Sequence, residues 1–227
     1  MNAQGVFVTG TDTGIGKTHS SVRLLRAHRA LGRRAIGMKP VASGCRETTE
    51  GLRNEDADAL IAASDPTPAY AECNPYALPL AIAPHLAARA AGIEIAIEPI
   101  ALAYRQLVAT ADRLVVEGVG GWAVPLSATL MQADLVRALE LPVLLVVGLR
   151  LGCINHALMS VRAIAGDGCS LVGWIANRID PAMACADANI ETLRERIHAP
   201  LLGVIAHESP RSVDGDIDAW SHVAQQL

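Results

Sequence analysis

A run of glycines ending in lysine and threonine carries the first recognisable chemistry of this chain. Residues Val6 to Leu25 read VFVTGTDTGIGKTHSSVRLL: an apolar run, a glycine-rich turn, then a helix-like pattern starting at Lys17 and Thr18. Glycines let backbone N–H groups encircle an anion, and a helix start adds partial positive charge. A lysine at that junction neutralises terminal phosphates. The threonine hydroxyl supplies a hard oxygen ligand for Mg²⁺. The strict spacing G-x-x-x-x-G-K-[ST] is missed, because Thr11 stands five before Gly16 and Gly10 lies one residue earlier. Gly14 frees the middle of the loop instead. Strand before, helix after and GKT at the junction favour a nucleoside triphosphate cradle over a glycine turn with a surface lysine.

Lys39, in IGMKPVASG, ends a second apolar run. Lys17 and Lys39 are the sole lysines among 19 lysine and arginine residues, and a movable point charge suits phosphate transfer where a planar fork does not. With Ser43 four residues on, Lys39 suits the stabilisation of a transferring phosphoryl group or a second anionic substrate. Glu117, in RLVVEGVGGW, directly follows a third apolar run, where an acid can organise Mg²⁺; Gly118, Gly120 and Gly121 allow close backbone approach. Asp56 in RNEDADAL is the candidate for a further carboxylate, with Glu55 and Asp58 left open as its neighbours. The N–H groups of Gly152, Cys153, Ile154 and Asn155 open another helix and form a second candidate anion site, for carboxylate or phosphate. Asn177, at the end of GWIAN, can read a nucleobase edge.

These residues need a frame. Apolar runs at Gly5–Thr9, Ala35–Lys39, Arg113–Glu117, Val143–Val147, Leu171–Asn177 and Leu202–Ile205 predict strands. Amphipathic patterns at Thr18–Leu31, Pro99–Thr110, Met131–Leu139, Asn155–Ala165 and Ala186–Ile197 predict helices. The strand runs are continuous rather than alternating, as a parallel sheet covered on both faces requires. The expectation is an α/β fold with a doubly wound, mostly parallel sheet, whose ligands lie beyond the carboxyl ends of the strands. Ala42–Asn74 reads as a long, polar, irregular connection, and the C-terminal stretch as a loop before a short helix.

With 51% apolar residues over 227 positions, the chain can bury one sizeable core, and residues 1–227 are read as one domain. A net charge of -4 offers no basic surface for nucleic acid or membrane lipid. The longest apolar run, Leu141 to Leu149, falls short of the roughly 18–20 residues a spanning helix needs. The N-terminus has no charged leader before an apolar stretch, and the five cysteines form no C-x-x-C pair. Together these point to a cytoplasmic protein with free thiols.

The pieces FVTGTDTGIGKT, KPVASG, EGLRN, NPY, VEGVGGW, LGCINHA and APLLG together resemble the dethiobiotin synthetase family, over most of the chain. The resemblance implies a P-loop NTPase-type fold and an ATP- and Mg²⁺-dependent homodimer. In that family 7,8-diaminononanoate takes up CO₂ as a carbamate, which attacks the γ-phosphate of ATP. The second amine then displaces phosphate from the mixed anhydride and closes the cyclic urea of dethiobiotin, leaving ADP. Carried over by motif, Thr13, Gly14, Ile15, Gly16, Lys17, Thr18 and His19 hold the triphosphate. Thr18, Asp56 and Glu117 organise Mg²⁺, while Lys39 and Lys17 are the catalytic cations. Glu117, Gly118, Val119 and Gly120 line the site, and Ser43 touches substrate. Asn177, Arg178, Ala206, His207 and Glu208 lie at the adenine. Gly152, Cys153, Ile154 and Asn155 of the other subunit hold the substrate carboxylate. Gly14 stands where some relatives carry an acid, and the segment at Ala206 lacks an expected proline. The rival is a nucleotide-switched, partitioning-type ATPase that binds a partner; it usually carries an additional lysine early in the loop, where this chain has Thr11, Asp12 and Thr13.

Overall fold

A computed structural model describes residues 4–207 and 217–227. In chain order the first half runs β1 (Gln4–Gly10), α1 (Lys17–Ala30), β2 (Ala35–Met38), β3 (Val41–Ser43), β4 (Arg46–Thr48), β5 (Gly51–Arg53), α2 (Glu55–Ala63), α3 (Tyr70–Cys73), β6 (Tyr76–Leu78) and α4 (Pro84–Ala90). The second half runs α5 (Ile97–Val108), β7 (Arg113–Glu117), α6 (Gln132–Ala138), β8 (Val143–Gly148), α7 (Cys153–Gly166), β9 (Leu171–Asn177), α8 (Ala186–Arg196), β10 (Leu201–Ile205) and α9 (Ile217–Gln226).

Six strands form one sheet in the order β10-β9-β8-β1-β7-β2, every neighbouring pair parallel. The continuous apolar runs are explained by burial on both faces. Along β1, Val6 and Val8 pack toward Leu24, Leu25 and α9, while Phe7 packs on the opposite face with Ile100 and Val136. Along β8, Leu144 and Val146 share the first of those faces, and Leu145 and Val147 pack with α7 and α8. Burying such a side chain contributes roughly 1.5–3 kcal/mol relative to exposure, so a polar residue at any of these positions is costly on either face.

The sheet register positions the chemistry. β1 is the first strand in sequence but lies in the middle of the sheet, with β7 on one side and β8 on the other. The chain therefore crosses over β1, and the crevice at its carboxyl end is where such sheets bind ligands. Val8 pairs with Glu117, and Met38 pairs with Val116. Lys39, one residue beyond β2, consequently emerges beside Glu117 at the rim.

Ala42–Asn74 differs from the sequence reading: it is largely ordered. β3 pairs with β6, β4 and β5 form an antiparallel hairpin, and α2 follows. Helix α2 escaped notice because its buried stripe is only Ala57, Leu60 and Ala63, behind an acidic first turn. Asn54 nevertheless caps it, its side-chain oxygen accepting from the N–H groups of Asp56 (3.0 Å) and Ala57 (3.3 Å). Glu55, Asp56 and Asp58 then gain from the helix dipole.

Candidate active site

The glycine turn is held in shape by three neighbouring strands. Thr11 N–H donates to the Val146 carbonyl at 3.0 Å, and Asp12 pairs with Arg150 just after β8. The Ile15 side chain is buried against Gly10 and Gly148. Asn177 Nδ2 donates to the Ile15 carbonyl at 2.8 Å. Gly16, with φ 89°, then turns the chain into α1. Lys17 Nζ donates to the Asp12 carbonyl at 2.8 Å, across the loop it serves.

Behind this turn lies a compact charge cluster. Lys39 Nζ donates to Glu117 Oε1 (2.7 Å), Asp56 Oδ2 (2.8 Å) and the Gly118 carbonyl (3.1 Å). Thr18 Oγ1 lies 2.7 Å from Asp56 Oδ1 and 2.8 Å from Glu117 Oε1. Of the three acids left open by spacing, Asp56 is the one that meets Thr18. Asp58 turns away to Arg46 and Arg53, and Glu55 is exposed.

Burial alone would lower the Lys39 pKa, but the Glu117 and Asp56 carboxylates outweigh it and hold the ammonium above its ordinary range. Burial also disfavours the Asp56 carboxylate; Lys39 and the Thr18 hydroxyl reverse this and keep it below the usual carboxylate range. Lys17 lacks so close a counter-charge, and burial, then the Lys39 charge, brings it down to about 8. A phosphate arriving at Lys17 restores the charged form. Nucleotide binding measured by calorimetry above pH 8 should therefore take up protons, and affinity should fall as pH rises through the Lys17 value. Proton-neutral binding there, judged in buffers of different ionisation enthalpy, would contradict this.

The donor set fits a hard divalent cation. Thr18 has one hydroxyl hydrogen for two carboxylate oxygens, so one of the two short contacts has no proton to bridge it. Glu117 Oε2 is buried with no hydrogen-bond partner. Among the described residues no group of three or more His, Cys, Asp and Glu forms a cage. Mg²⁺ wants one or two carboxylates, with waters and substrate phosphates completing its shell.

The glycine turn, Lys17, Thr18, Lys39 and Asp56 border a cavity of about 730 Å³, while Glu117, expected to line it, is fully buried and reaches it only through Lys39 and Thr18. The expected residues Thr13, Gly14, Gly16, Lys17, Thr18, Lys39, Ser43, Asp56, Val119 and Gly120 line it. Ser43 Oγ is buried there without a partner. Asn177 and Ile15 stand behind the cradle rather than in the cavity wall. Gly118 takes part through its carbonyl, and His19 lies in the first turn of α1. Arg178, Ala206 and His207 lie together past β9 and β10, with Arg178 N–H donating to the Ile205 carbonyl and its own carbonyl 3.1 Å from His207 Nδ1. Glu208 lies outside the described residues. Gly152 ends the β8–α7 turn with φ 95°, and Cys153, Ile154 and Asn155 begin α7 away from this cavity.

Sequence reasoning missed the cavity's apolar wall, made by Ala81, Ile82, Ala83 and Pro84 on one side and Ala123, Val124 and Pro125 on the other. Its signal was the unusually apolar stretch LPLAIAPH.

A parallel sheet of this order, with a glycine turn and lysine leaving its central strand, defines a P-loop nucleotide-binding fold. Solved structures agree on the fold. The MinC:MinD cell division complex of Aquifex aeolicus matches with TM-score 0.56 and 16% identity, covering 98% of this chain and 86% of that one. A ParA family ATPase from Chlorobium tepidum TLS matches with TM-score 0.56 and 11% identity, covering 97% and 92%. The profile of a family described as AAA domain matches residues 4–212. The ATP-dependent dethiobiotin synthetase BioD of Xanthomonas euvesicatoria pv. vesicatoria is 62% identical over 225 residues, spanning 99% of both chains. That of Xylella fastidiosa strain 9a5c is 60% identical over 92% of this chain and 93% of its own. The chain belongs to the AAA domain family by that profile and to the ATP-dependent dethiobiotin synthetases by these relatives.

Proposed function

We propose that this protein makes dethiobiotin for biotin biosynthesis, as an ATP-dependent cyclo-ligase acting on 7,8-diaminononanoate and CO₂. Both of its lysines meet at one cavity that has a charged floor and an apolar wall, and this observation carries the reading. Lys17, the loop N–H groups and the start of α1 hold the triphosphate. The methylene chain of the diamine lies along Ala81–Pro84 and Val124, and Ser43 supplies a hydroxyl to its polar end. Lys39, kept protonated by two carboxylates, is unsuited to act as a base. None is needed for the first bond, because an unprotonated amine adds to CO₂ directly. Lys39 instead stabilises charge on the carbamate and on the phosphoryl group passing to it. The second amine attacks the activated carbonyl, phosphate leaves, and the ring closes. Thr18, Asp56 and Glu117 would hold Mg²⁺, which when bound supplies further neutralisation of the phosphates.

The active form in this reading is a cytoplasmic homodimer, in which the start of α7 in a second copy receives the substrate carboxylate. Exposed Leu151 and Met159 beside and along that helix favour such a contact. The MinC:MinD cell division complex and the ParA family ATPase share the fold at 16% and 11% identity, which speaks for architecture alone. Among the described residues no helix is long and apolar enough to cross a membrane.

The test is mass spectrometry of the products from protein, MgATP, ¹³C-bicarbonate and 7,8-diaminononanoate. A labelled cyclic urea that needs both ATP and diamine is expected. Hydrolysis of ATP without that product would bring the switch ATPase forward.

A further inference from the structure

The reacting cluster is tied together by a second, outer set of hydrogen bonds that involves none of the residues assigned above except Lys39 and Asp56. Asn74 is almost fully buried, and its Nδ2 donates to the Lys39 carbonyl at 2.6 Å and to the Tyr76 carbonyl at 3.3 Å. The Lys39 N–H donates to the Cys73 carbonyl at 2.8 Å, so the end of α3 grips the Lys39 backbone from both sides. At the start of α3, the Tyr70 hydroxyl donates to Asn74 Oδ1 (3.0 Å) and accepts from the Asn54 N–H (2.8 Å). Asn54 caps α2, whose first turn carries Asp56, and Asp56 Oδ2 returns to Lys39 Nζ at 2.8 Å. The path is closed.

We infer that Tyr70 and Asn74 are positioning residues that set the distance between the Lys39 ammonium and the Asp56 carboxylate. Lys39 hangs from the end of β2 and Asp56 from the first turn of α2. The helix is tied to that strand near its other end, where the Gly37 N–H donates to Ser64 Oγ at 2.9 Å, and the path through Tyr70 and Asn74 adds the tie at the end that carries Asp56. Donor and acceptor roles run consistently around the path: the phenol uses one hydrogen and one lone pair, and the Asn74 amide uses both its ends. Burial pushes the Tyr70 phenol up, so the donor persists through the pH range of turnover. The Tyr70 ring is held in turn by Arg53, whose guanidinium carbon lies 4.1 Å from the ring centre and whose Nη2 pairs with Asp58 at 2.7 Å. A tyrosine kept for packing alone would not need this hydroxyl geometry. Such alignment matters because small displacements of a charge from a reacting phosphate are costly in rate.

The kinetic part of this inference rests on the reaction proposed above; a second readout does not. Protein labelled with ¹⁵N at its lysine side chains should give one signal each for Lys17 and Lys39, the chain's sole lysines. Tyr70→Phe removes the hydroxyl and keeps the ring under Arg53. It should lower kcat roughly tenfold with KM for ATP within about twofold, and should shift the Lys39 Nζ signal while leaving Lys17 in place. Asn74→Asp keeps the acceptor for Tyr70, loses the donor to Lys39, and should move the same signal. A melting temperature that falls while the Lys39 signal and kcat stay put would mean a packing role and overturn the inference. An unmoved Lys39 signal in both variants overturns it whatever kcat does. Wild-type protein that makes no cyclic urea would sink the reaction, leaving the Lys39 signal to judge the path.

Discussion

Lys39→Ala is expected to lower kcat for dethiobiotin formation by about 10³ or more, on the scale of deleting a main charge stabiliser from a transition state, with nucleotide binding retained. The side chain donates to Glu117, Asp56 and the Gly118 carbonyl, and no neighbouring lysine can take its place. Lys17 is committed to the phosphate loop. The substitution also strips a fully buried carboxylate, Glu117, of its cation. Leaving one partner of such a pair costs roughly 3–5 kcal/mol unless the carboxyl takes up a proton. Part of the loss is therefore stability, and the two effects must be separated. Calorimetric titration with ATP well below the melting temperature does so, since a folded variant retains the loop N–H groups and Lys17. Lys39→Arg provides the contrast. It keeps the charge and recovers some stability, but a planar fork cannot take the place of a compact ammonium among three acceptors, so turnover stays low. Normal turnover by Lys39→Ala would remove Lys39 from the mechanism.

Gly16→Ala is expected to weaken ATP binding at least a hundredfold, about 2.7 kcal/mol. An added Cβ would stand 2.1 Å from Asn177 Nδ2, the atom that holds the Ile15 carbonyl. The backbone there has φ 89°, where an L side chain costs roughly 1–2 kcal/mol before any clash. Either Asn177 releases Ile15 or the loop leaves its position over the start of α1, and both scatter the N–H groups that would face phosphate. Gly14→Ala supplies the control. Its φ is 72°, but nothing lies within 4 Å of the added Cβ, so it pays the strain alone and its effect should be about tenfold smaller on that scale. Equal losses in the two variants, measured by calorimetry with MgATP, would show that the contact with Asn177 is unimportant.

Most of the architecture was legible because burial leaves a local trace. Six short runs apolar on successive residues are what strands covered on both faces leave in a sequence. All six form the parallel sheet within a residue or so of their expected ends, although Val204 on the edge strand β10 is exposed. The phosphate loop, Lys39 and Glu117 were legible for a related reason: Glu117 ends one of those strands and the other two immediately follow one, so locating the strand ends located the rim. Where the trace was weak the reading failed. Helix α2 buries two alanines and one leucine behind an acidic turn, and from Ala42 to Asn74 the polar composition hid a hairpin and two helices.

By itself, then, the sequence determined the sheet, the glycine cradle and the set of charged residues at its rim, since these follow from short-range periodicity and from motifs continuous in the chain. Spacing left Asp56 open against Asp58 and only the motif resemblance favoured it; the structure brings Asp56 to Thr18. Tertiary structure alone decided that Asn177 braces the loop from behind and that Tyr70 and Asn74 join Lys39 to Asp56. Each of these is a polar pairing between residues on different elements, and its partner depends on how the elements pack and on the direction a side chain takes. Composition and spacing carry no record of that direction.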